Sequence, residues 1–347
     1  MFSRNLKYYR LKNNLTKKEL ASRVGISLMS ITHYENGDRY PEMSIIKKLA
    51  ETLDVKVVDF LASRNEHLEF YHGEFRKNSR MAKSKQSYIR EAVEEYFSRF
   101  FDAVEILGGE VLPETPPVHS IPLEDDIEVN GKKLRTYLGI PETGPIGELI
   151  ERLENKGFLI FLMESDEQTF SGMNGTVNGR PYIVINRKMT PERIRTTIGH
   201  ELAHIAFIWP EDMTEKNAEK IATAIAGAFL IPEEDVIREL GIRRRALTTD
   251  MYMVCEEYGI AMSLLTVRAY LCNVINEKLY RDFFISLNNS PGGRKNEPSR
   301  IAEEKTNLFE QLVYRAVNEE EISIQRGAEL LNSSYEAVAS NCACIGG

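Results

Sequence analysis

Hydrophobic positions in the first 62 residues fall into short helical clusters separated by polar breaks. Leu6, Tyr9 and Arg10 precede a break at Asn13-Asn14, and Thr16 then stands three residues before Glu19, the spacing of a reciprocal capping box. Gly25 forces a turn. Ser27 caps a second helix, Leu28 to Tyr34, that stops at Asn36-Gly37, and another helix runs from Met43 to Leu53. Two short helices joined at a glycine are the arrangement that sets the second helix into a DNA major groove.

Beyond residue 65 the pattern lengthens. Phe70, Tyr71 and Phe75 stand beside Arg76, Lys77 and Arg80. Ile89, Val93, Tyr96, Phe100, Val104 and Leu107 then recur at spacings of three and four, predicting one face of a long helix. That face is expected to pack on the domain that follows, and it leaves a homodimer seam open. Pro113, Pro116, Pro117 and Pro122 make the next stretch an extended strap. Helical spacing from Ile146 to Asn155 is followed by strands at Phe158–Met163, 170–175 and 181–186, the last two separated by a Gly-rich turn. Pro191 opens a helix, Glu192 to Ile208. The run Glu219 to Pro232 is so uniformly apolar that it predicts a buried helix. After Leu287, Asn288 to Gly293 reads as a linker, and residues 301–338 as helices whose apolar face is Phe309, Leu312, Val313, Ala316 and Val317.

A length of 347 residues suggests two to three domains. Charge is unevenly spread: residues 1–65 carry 12 Lys/Arg against 7 Asp/Glu, leaving +5 there and −13 in the remainder. A basic end module on an acidic body suits a chain of which one part meets phosphate. The longest apolar stretch, Ile221 to Ile231, is interrupted by Thr223 and Gly227 and is too short to span a bilayer, so no membrane association is expected. The amino terminus has no apolar signal core, which makes a cytoplasmic location the expectation. Cys255, Cys272, Cys342 and Cys344 form no disulfide framework and read as reduced thiols, with Cys342 and Cys344 in a fraying tail.

The chemistry lies in His200-Glu201-Leu202-Ala203-His204. Residues four apart on a helix share a face, so both imidazoles can reach one ion, for which zinc is the expected metal. Glu201 is too close in sequence to join them as a ligand, yet it can take a proton from water at the metal. With this chain's six histidines, such a motif arises by chance on the order of 1% of the time, so it carries weight. A catalytic zinc needs a third protein ligand, and Glu219 at the mouth of the apolar run is the candidate. A carboxylate favoured there only by the helix dipole is the alternative.

Two resemblances rest on these residues. Leu15 to Ser27, with Ile31, Tyr34-Glu35-Asn36-Gly37, Pro41 and Leu49-Ala50, resembles the Cro and phage-repressor type (XRE) of helix-turn-helix. The resemblance implies double-stranded DNA as partner, with the helix that begins at Ser27 as the reader, Leu28, Met29, Thr32 and His33 facing bases and Lys17 near a phosphate. Lys17 replaces the family's usual Gln, and Leu28 and Met29 replace amides, which shifts readout toward thymine methyls. Arg195 to His204, then Glu219, Ala222 and Phe229 to Pro232, resembles the ImmA/IrrE family of zinc metallopeptidases. Similarity extends over about residues 145–285, through an element at Cys255–Ile260 and Ser263–Leu271 that resembles a further helix-turn-helix. Departures are Thr196, where an aromatic is usual, and Thr223, where Asn is common. This resemblance implies that His200, His204 and Glu219 hold Zn2+, that Glu201 is the base, and that the substrate is a protein, of the repressor class.

The expected fold is α+β: a helix-turn-helix domain at 1–65, a connecting segment with the long helix at 66–130, a mostly helical zincin-like domain on a small sheet at 131–287, and a helical C-terminal region at 300–340. The expected function is a DNA-binding regulator fused to a zinc endopeptidase. Its rival is a non-proteolytic repressor or antitoxin-like binding protein whose metal site is structural or vestigial.

Overall fold

A computed structural model describes residues 1–347 except 63, 66, 74–80, 168, 291–292, 294–296 and 344–347. Phe75, Arg76, Lys77, Arg80 and Cys344 thus lie outside the described residues. The chain divides into two compact units, one from Met1–Leu68, Ser79–Val111 and Phe309–Gly347, the other from Glu69–Asn78 and Leu112–Leu308.

In the first unit, α1 (Phe2–Lys12), α2 (Lys17–Val24), α3 (Leu28–Asn36) and α4 (Met43–Leu53) enclose Leu6, Leu20, Val24, Ile31, Leu49 and Phe60. The predicted caps are formed. Thr16 Oγ1 accepts from Glu19 N at 3.1 Å while the Glu19 carboxylate accepts from Thr16 N at 2.7 Å, and Ser27 Oγ accepts from Ser30 N at 3.0 Å. Each cap satisfies N–H groups that a helix start leaves without an intrahelical partner. Gly25 sits at φ 78°, a left-handed conformation that a Cβ would strain, so the α2–α3 turn is encoded locally. Buried Arg10 donates to both oxygens of Glu35 and to Leu15 O, tying α1 to α3.

Expected on the following domain, the long helix, α5 (Lys83–Ile106), is instead part of the first unit. It lies against α1 and the C-terminal helices α14 (Leu308–Asn318) and α15 (Ile324–Leu331), with α16 (Tyr335–Asn341) packed on α15. Glu91 accepts from Lys7 Nζ at 2.6 Å and from Arg64 at 3.1 Å, Tyr88 stacks on Tyr8 at 6.3 Å, and Phe309 sits 5.4 Å from Tyr96 and 5.5 Å from Phe100. The helix's partners come from both ends of the chain. Periodicity reports that a face is buried and carries no information on what buries it.

The second unit holds a four-stranded sheet in the order β1 (Phe70–His72), β4 (Gly172–Val177), β5 (Arg180–Asn186), β3 (Leu159–Met163). β1–β4 and β4–β5 are antiparallel, and β3–β5 is parallel. The β4–β5 turn is Asn178-Gly179, both at positive φ, as a two-residue hairpin of this twist requires, so β4 lies two residues later than the sequence pattern placed it. Against the sheet lie α8 (Pro191–Ala206) and then α9 (Glu215–Leu230), with Ile183, Ile185, Ile198, Leu202, Ile225 and Phe229 in the shared core.

α8 ends two residues before the predicted Ile208. His119 N and Ser120 N, in the proline-rich strap, donate to Ile205 O and Ala206 O at 2.7 and 2.9 Å, and β2 (Ile121–Pro122) pairs in parallel with β6 (Phe207–Ile208). The strap thus takes the last carbonyls of the helix. Around this centre pack α6 (Ile127–Tyr137), α7 (Leu149–Asn155), α10 (Glu233–Leu240), α11 (Met251–Tyr258), α12 (Met262–Leu271) and α13 (Glu277–Asn289).

Two buried arginines hold the far end of α9. Arg135 donates to Phe229 O at 2.7 Å and Leu230 O at 3.3 Å; Arg268 donates to Ile231 O at 3.0 Å and to both oxygens of Glu128. Guanidinium groups there meet the carbonyls that a helix end leaves over and the negative end of its dipole.

Buried Glu154 on α7 accepts from the backbone N–H groups of Asn307 and Leu308 at 3.2 and 3.3 Å. Burial pushes its carboxyl up to about 7, against the downward pull of those two N–H groups, from an ordinary value of 4.5. The folded state therefore holds the extra proton between these values. Stability from Glu154 is full below pH 4.5 and is lost as pH rises through 7. Glu154→Gln, which cannot ionise, is expected to gain about 1–3 kcal/mol over the parent at pH 8 and less at pH 5.5, read from urea melts at both values. A parent-like slope in the variant would assign the pH dependence elsewhere.

Candidate metal centre

Pro191 at the first turn starts α8, and nine residues on the helix presents His200 and His204 one turn apart on the face toward α9. The two helices approach closely because small residues line their contact. A Cβ on Gly199 would lie 3.2 Å from Ala226 Cβ and 3.4 Å from its Cα, so a larger side chain would drive the helices apart. Ala203 and Ala222 are fully buried in the same layer. α9 begins at Glu215, one turn before the apolar run, so Glu219 sits in its second turn and is carried toward the histidines.

The three candidate ligands converge. His200 Nε2 and His204 Nε2 are 3.2 Å apart, His200 Nε2 is 3.5 Å from Glu219 Oε2, and His204 Nε2 is 3.3 Å from Glu219 Oε1. Zinc takes imidazole nitrogen and carboxylate oxygen at about 2.0–2.2 Å, which puts neighbouring tetrahedral ligands about 3.3 Å apart. Donor chemistry and spacing both fit a divalent ion of this kind. Among the described residues, this is the group of His, Cys, Asp and Glu side chains close enough to share an ion.

Two neighbours complete the site. Thr223, four residues after Glu219, donates its hydroxyl to Glu219 O at 2.8 Å, and its oxygen is 3.1 Å from His200 Nδ1. With its proton committed, Thr223 accepts from Nδ1–H, which leaves Nε2 of His200 with its lone pair toward the cluster. Glu201 is buried on the side of α8 facing the sheet, where Asn174 Nδ2 on β4 donates to its Oε2 at 2.7 Å. Thr223 could have been found from its helical spacing to Glu219. No local pattern marks Asn174, which arrives from another strand.

The residues expected at DNA lie on α2 and α3. Ser27, Leu28 and Met29 are exposed at the start of α3, Leu28 at 49% and Met29 at 63%. Thr32 and His33 are half-buried, Thr32 donating to Leu28 O at 3.1 Å and His33 Nδ1 lying 3.1 Å from Asp38. Lys17 Nζ is 3.5 Å from Glu35. Elsewhere, burial pushes the thiols of Cys255 and Cys272 up to about 12 and 11, so both stay protonated near neutral pH and are poor nucleophiles. No helix among the described residues is long and apolar enough to cross a membrane.

Comparison with known proteins matches both units. A helix-turn-helix family model matches residues 6–60, and the model of the IrrE N-terminal-like domain, a peptidase family, matches residues 153–270. Over 54 residues the chain is 39% identical to an uncharacterized HTH-type transcriptional regulator of Methanocaldococcus jannaschii, covering 16% of this chain and 82% of that protein. Over 77 residues it is 32% identical to one of Bacillus subtilis, covering 22% and 66%. Over 63 residues it is 33% identical to one of Archaeoglobus fulgidus, covering 18% and 89%.

Proposed function

From a chain that belongs to the HTH-type transcriptional regulators and carries an IrrE N-terminal-like peptidase domain, we propose a DNA-binding regulator that cuts a protein partner, itself a repressor, with a zinc endopeptidase site. The observation that carries this reading is the convergence of His200, His204 and Glu219 beside a carboxylate, Glu201, that is not one of them. Zinc held by the three would supply Lewis acidity toward a peptide carbonyl and toward water. Glu201 would take the proton from the attacking water and pass it to the leaving amine. Asn174 holds the Glu201 carboxylate in one orientation as it does so. A metal site that served structure alone would have no use for a carboxylate in that place, which favours the enzyme over a non-proteolytic repressor or antitoxin-like protein.

The test is to purify the protein with candidate partners encoded beside its gene and to follow their cleavage with and without chelator. Chelator-sensitive cleavage of one partner supports the reading; stable, uncut complexes in the presence of zinc would support the rival.

For DNA, the start of α3 would enter the major groove, with two copies engaging half-sites about 34 Å apart. Binding of duplex DNA by the whole chain is expected to fall steeply with salt. Met29→Glu places a charge against the groove and is expected to weaken binding at least about tenfold, while Glu201→Gln leaves it unchanged. Electrophoretic mobility shifts at two salt concentrations check this, and undiminished binding by Met29→Glu would move the reading face elsewhere.

A further inference from the structure

The outer edge of β4, the strand that holds Glu201 through Asn174, is covered by β1, a segment of only three residues. The register is Phe70 with Val177, Tyr71 with Thr176 and His72 with Gly175. Glu69 and Asn178 close one end: Asn178 N donates to Glu69 O at 2.9 Å and Glu69 N donates to Asn178 Oδ1 at 2.8 Å. At the other end, Gly73 N donates to Asn174 O at 2.8 Å.

That last contact is next to the chemistry. A Cβ on Gly73 would come within 2.6 Å of Asn174 O and 3.1 Å of Asn174 Oδ1, so the Gly73 backbone lies against the carboxamide whose nitrogen holds Glu201. The edge is shaped to take a backbone closely. A Cβ on Gly175 would meet Tyr71 O at 2.4 Å and Tyr182 Oη at 2.3 Å. Yet among the described residues β1 pairs on one side only, and Tyr71 is 71% exposed. A short strand held from one side can be replaced by an extended chain that offers the same backbone groups and a partner for Tyr182 Oη, which His72 Nδ1 meets at 2.6 Å.

We propose that β1 occupies in cis the sheet edge on which the peptide to be cut pairs with β4. The partner would offer an extended segment that displaces Phe70–Gly73 and so brings its backbone past Asn174 to Glu201. This rests on the peptidase reading of the second unit, but the occupancy of the edge can be tested without catalysis.

Amide groups along a strand alternate in direction, and Gly73 N–H faces β4, so Tyr71 N–H does too. Gly73→Val expels β1 by collision with Asn174 O, and Tyr71→Pro expels it by removing a donor. The probe is a fluorescein-labelled peptide with the sequence of residues 67–73, titrated by anisotropy into the full-length protein. Both variants are expected to bind it at least tenfold more tightly than the parent, and the same peptide N-methylated at the tyrosine is expected to lose that gain. In the parent, the amides of Tyr71 and Gly73 are expected to exchange with deuterium at least a hundredfold faster than those of Ile183 and Val184 in β5. Equal peptide affinity in parent and variants, or exchange as slow as in β5, overturns the proposal by making β1 a permanent strand. Should one variant fail to fold, the other reads the same effect. A protein that gains peptide binding in this way but cuts no partner would refute the peptidase reading and leave the occupied edge standing. One that cuts its partner with equal peptide affinity in all three chains refutes the occupied edge alone.

Discussion

Glu201→Gln is expected to keep zinc at the parent's stoichiometry and to lose about 10²–10⁴-fold in cleavage of the protein partner. The substitution changes almost nothing but basicity. Glutamine has the shape of glutamate, and its carbonyl oxygen can accept from Asn174 Nδ2 as the carboxylate oxygen does at 2.7 Å. The triangle of candidate ligands, His200, His204 and Glu219, does not include residue 201, so metal retention should be untouched. What disappears is the group able to accept a proton from water. Metal content by mass spectrometry and single-turnover cleavage of the partner separate the two effects. Loss of zinc together with activity would show that Glu201 supports the metal and is not the base.

The second large effect distinguishes two carboxylates on one helix. Glu219→Ala is expected to lower zinc affinity more than about 100-fold, since changes merely behind a ligand already cost 10–100-fold. It should also abolish the stabilisation that bound zinc gives, about 2.7 kcal/mol when free zinc is 100 times its dissociation constant. Glu215→Ala should do neither. The two residues lie four apart at the start of α9, about 40° from each other around the axis, so spacing alone does not choose between them. Burial does: Glu219 is half-buried with its oxygens 3.3 and 3.5 Å from the histidine nitrogens, and Glu215 is exposed. Metal content after dialysis and melting temperature with and without chelator, on both variants, check this. A reversed pattern would make Glu215 the ligand.

The amino-acid sequence by itself determined whatever a few consecutive residues decide among themselves. Thr16 and Glu19 specify a cap because both hydrogen bonds close within one turn. Gly25 specifies a turn because only its own backbone angles are at stake. His200 and His204 specify a shared face because helical geometry puts residues four apart together whatever lies around them. For the same reason the α+β composition, the basic amino-terminal module and the spacing of the motif's histidines were legible in the chain, and the comparisons agree with the helix-turn-helix and the peptidase domain.

Tertiary packing decided the rest. Helix α5 is met at Tyr88 by Tyr8 from one end of the chain and, on its stripe, at Tyr96 and Phe100 by Phe309 from the other, and a stripe carries no address for its partner. α8 stops at Ala206 because a strap more than eighty residues away takes its final carbonyls. Asn174 meets Glu201, and β1 covers the edge of β4, through sheet register that is set by the sum of many contacts. Glu219 joins the histidines because Gly199 and Ala226 let two helices approach, so its place depends on volumes along the whole contact. The motif's two candidate ligands were encoded within one turn of helix; the third candidate and the groups beside the site come together only once the helices and sheet have packed.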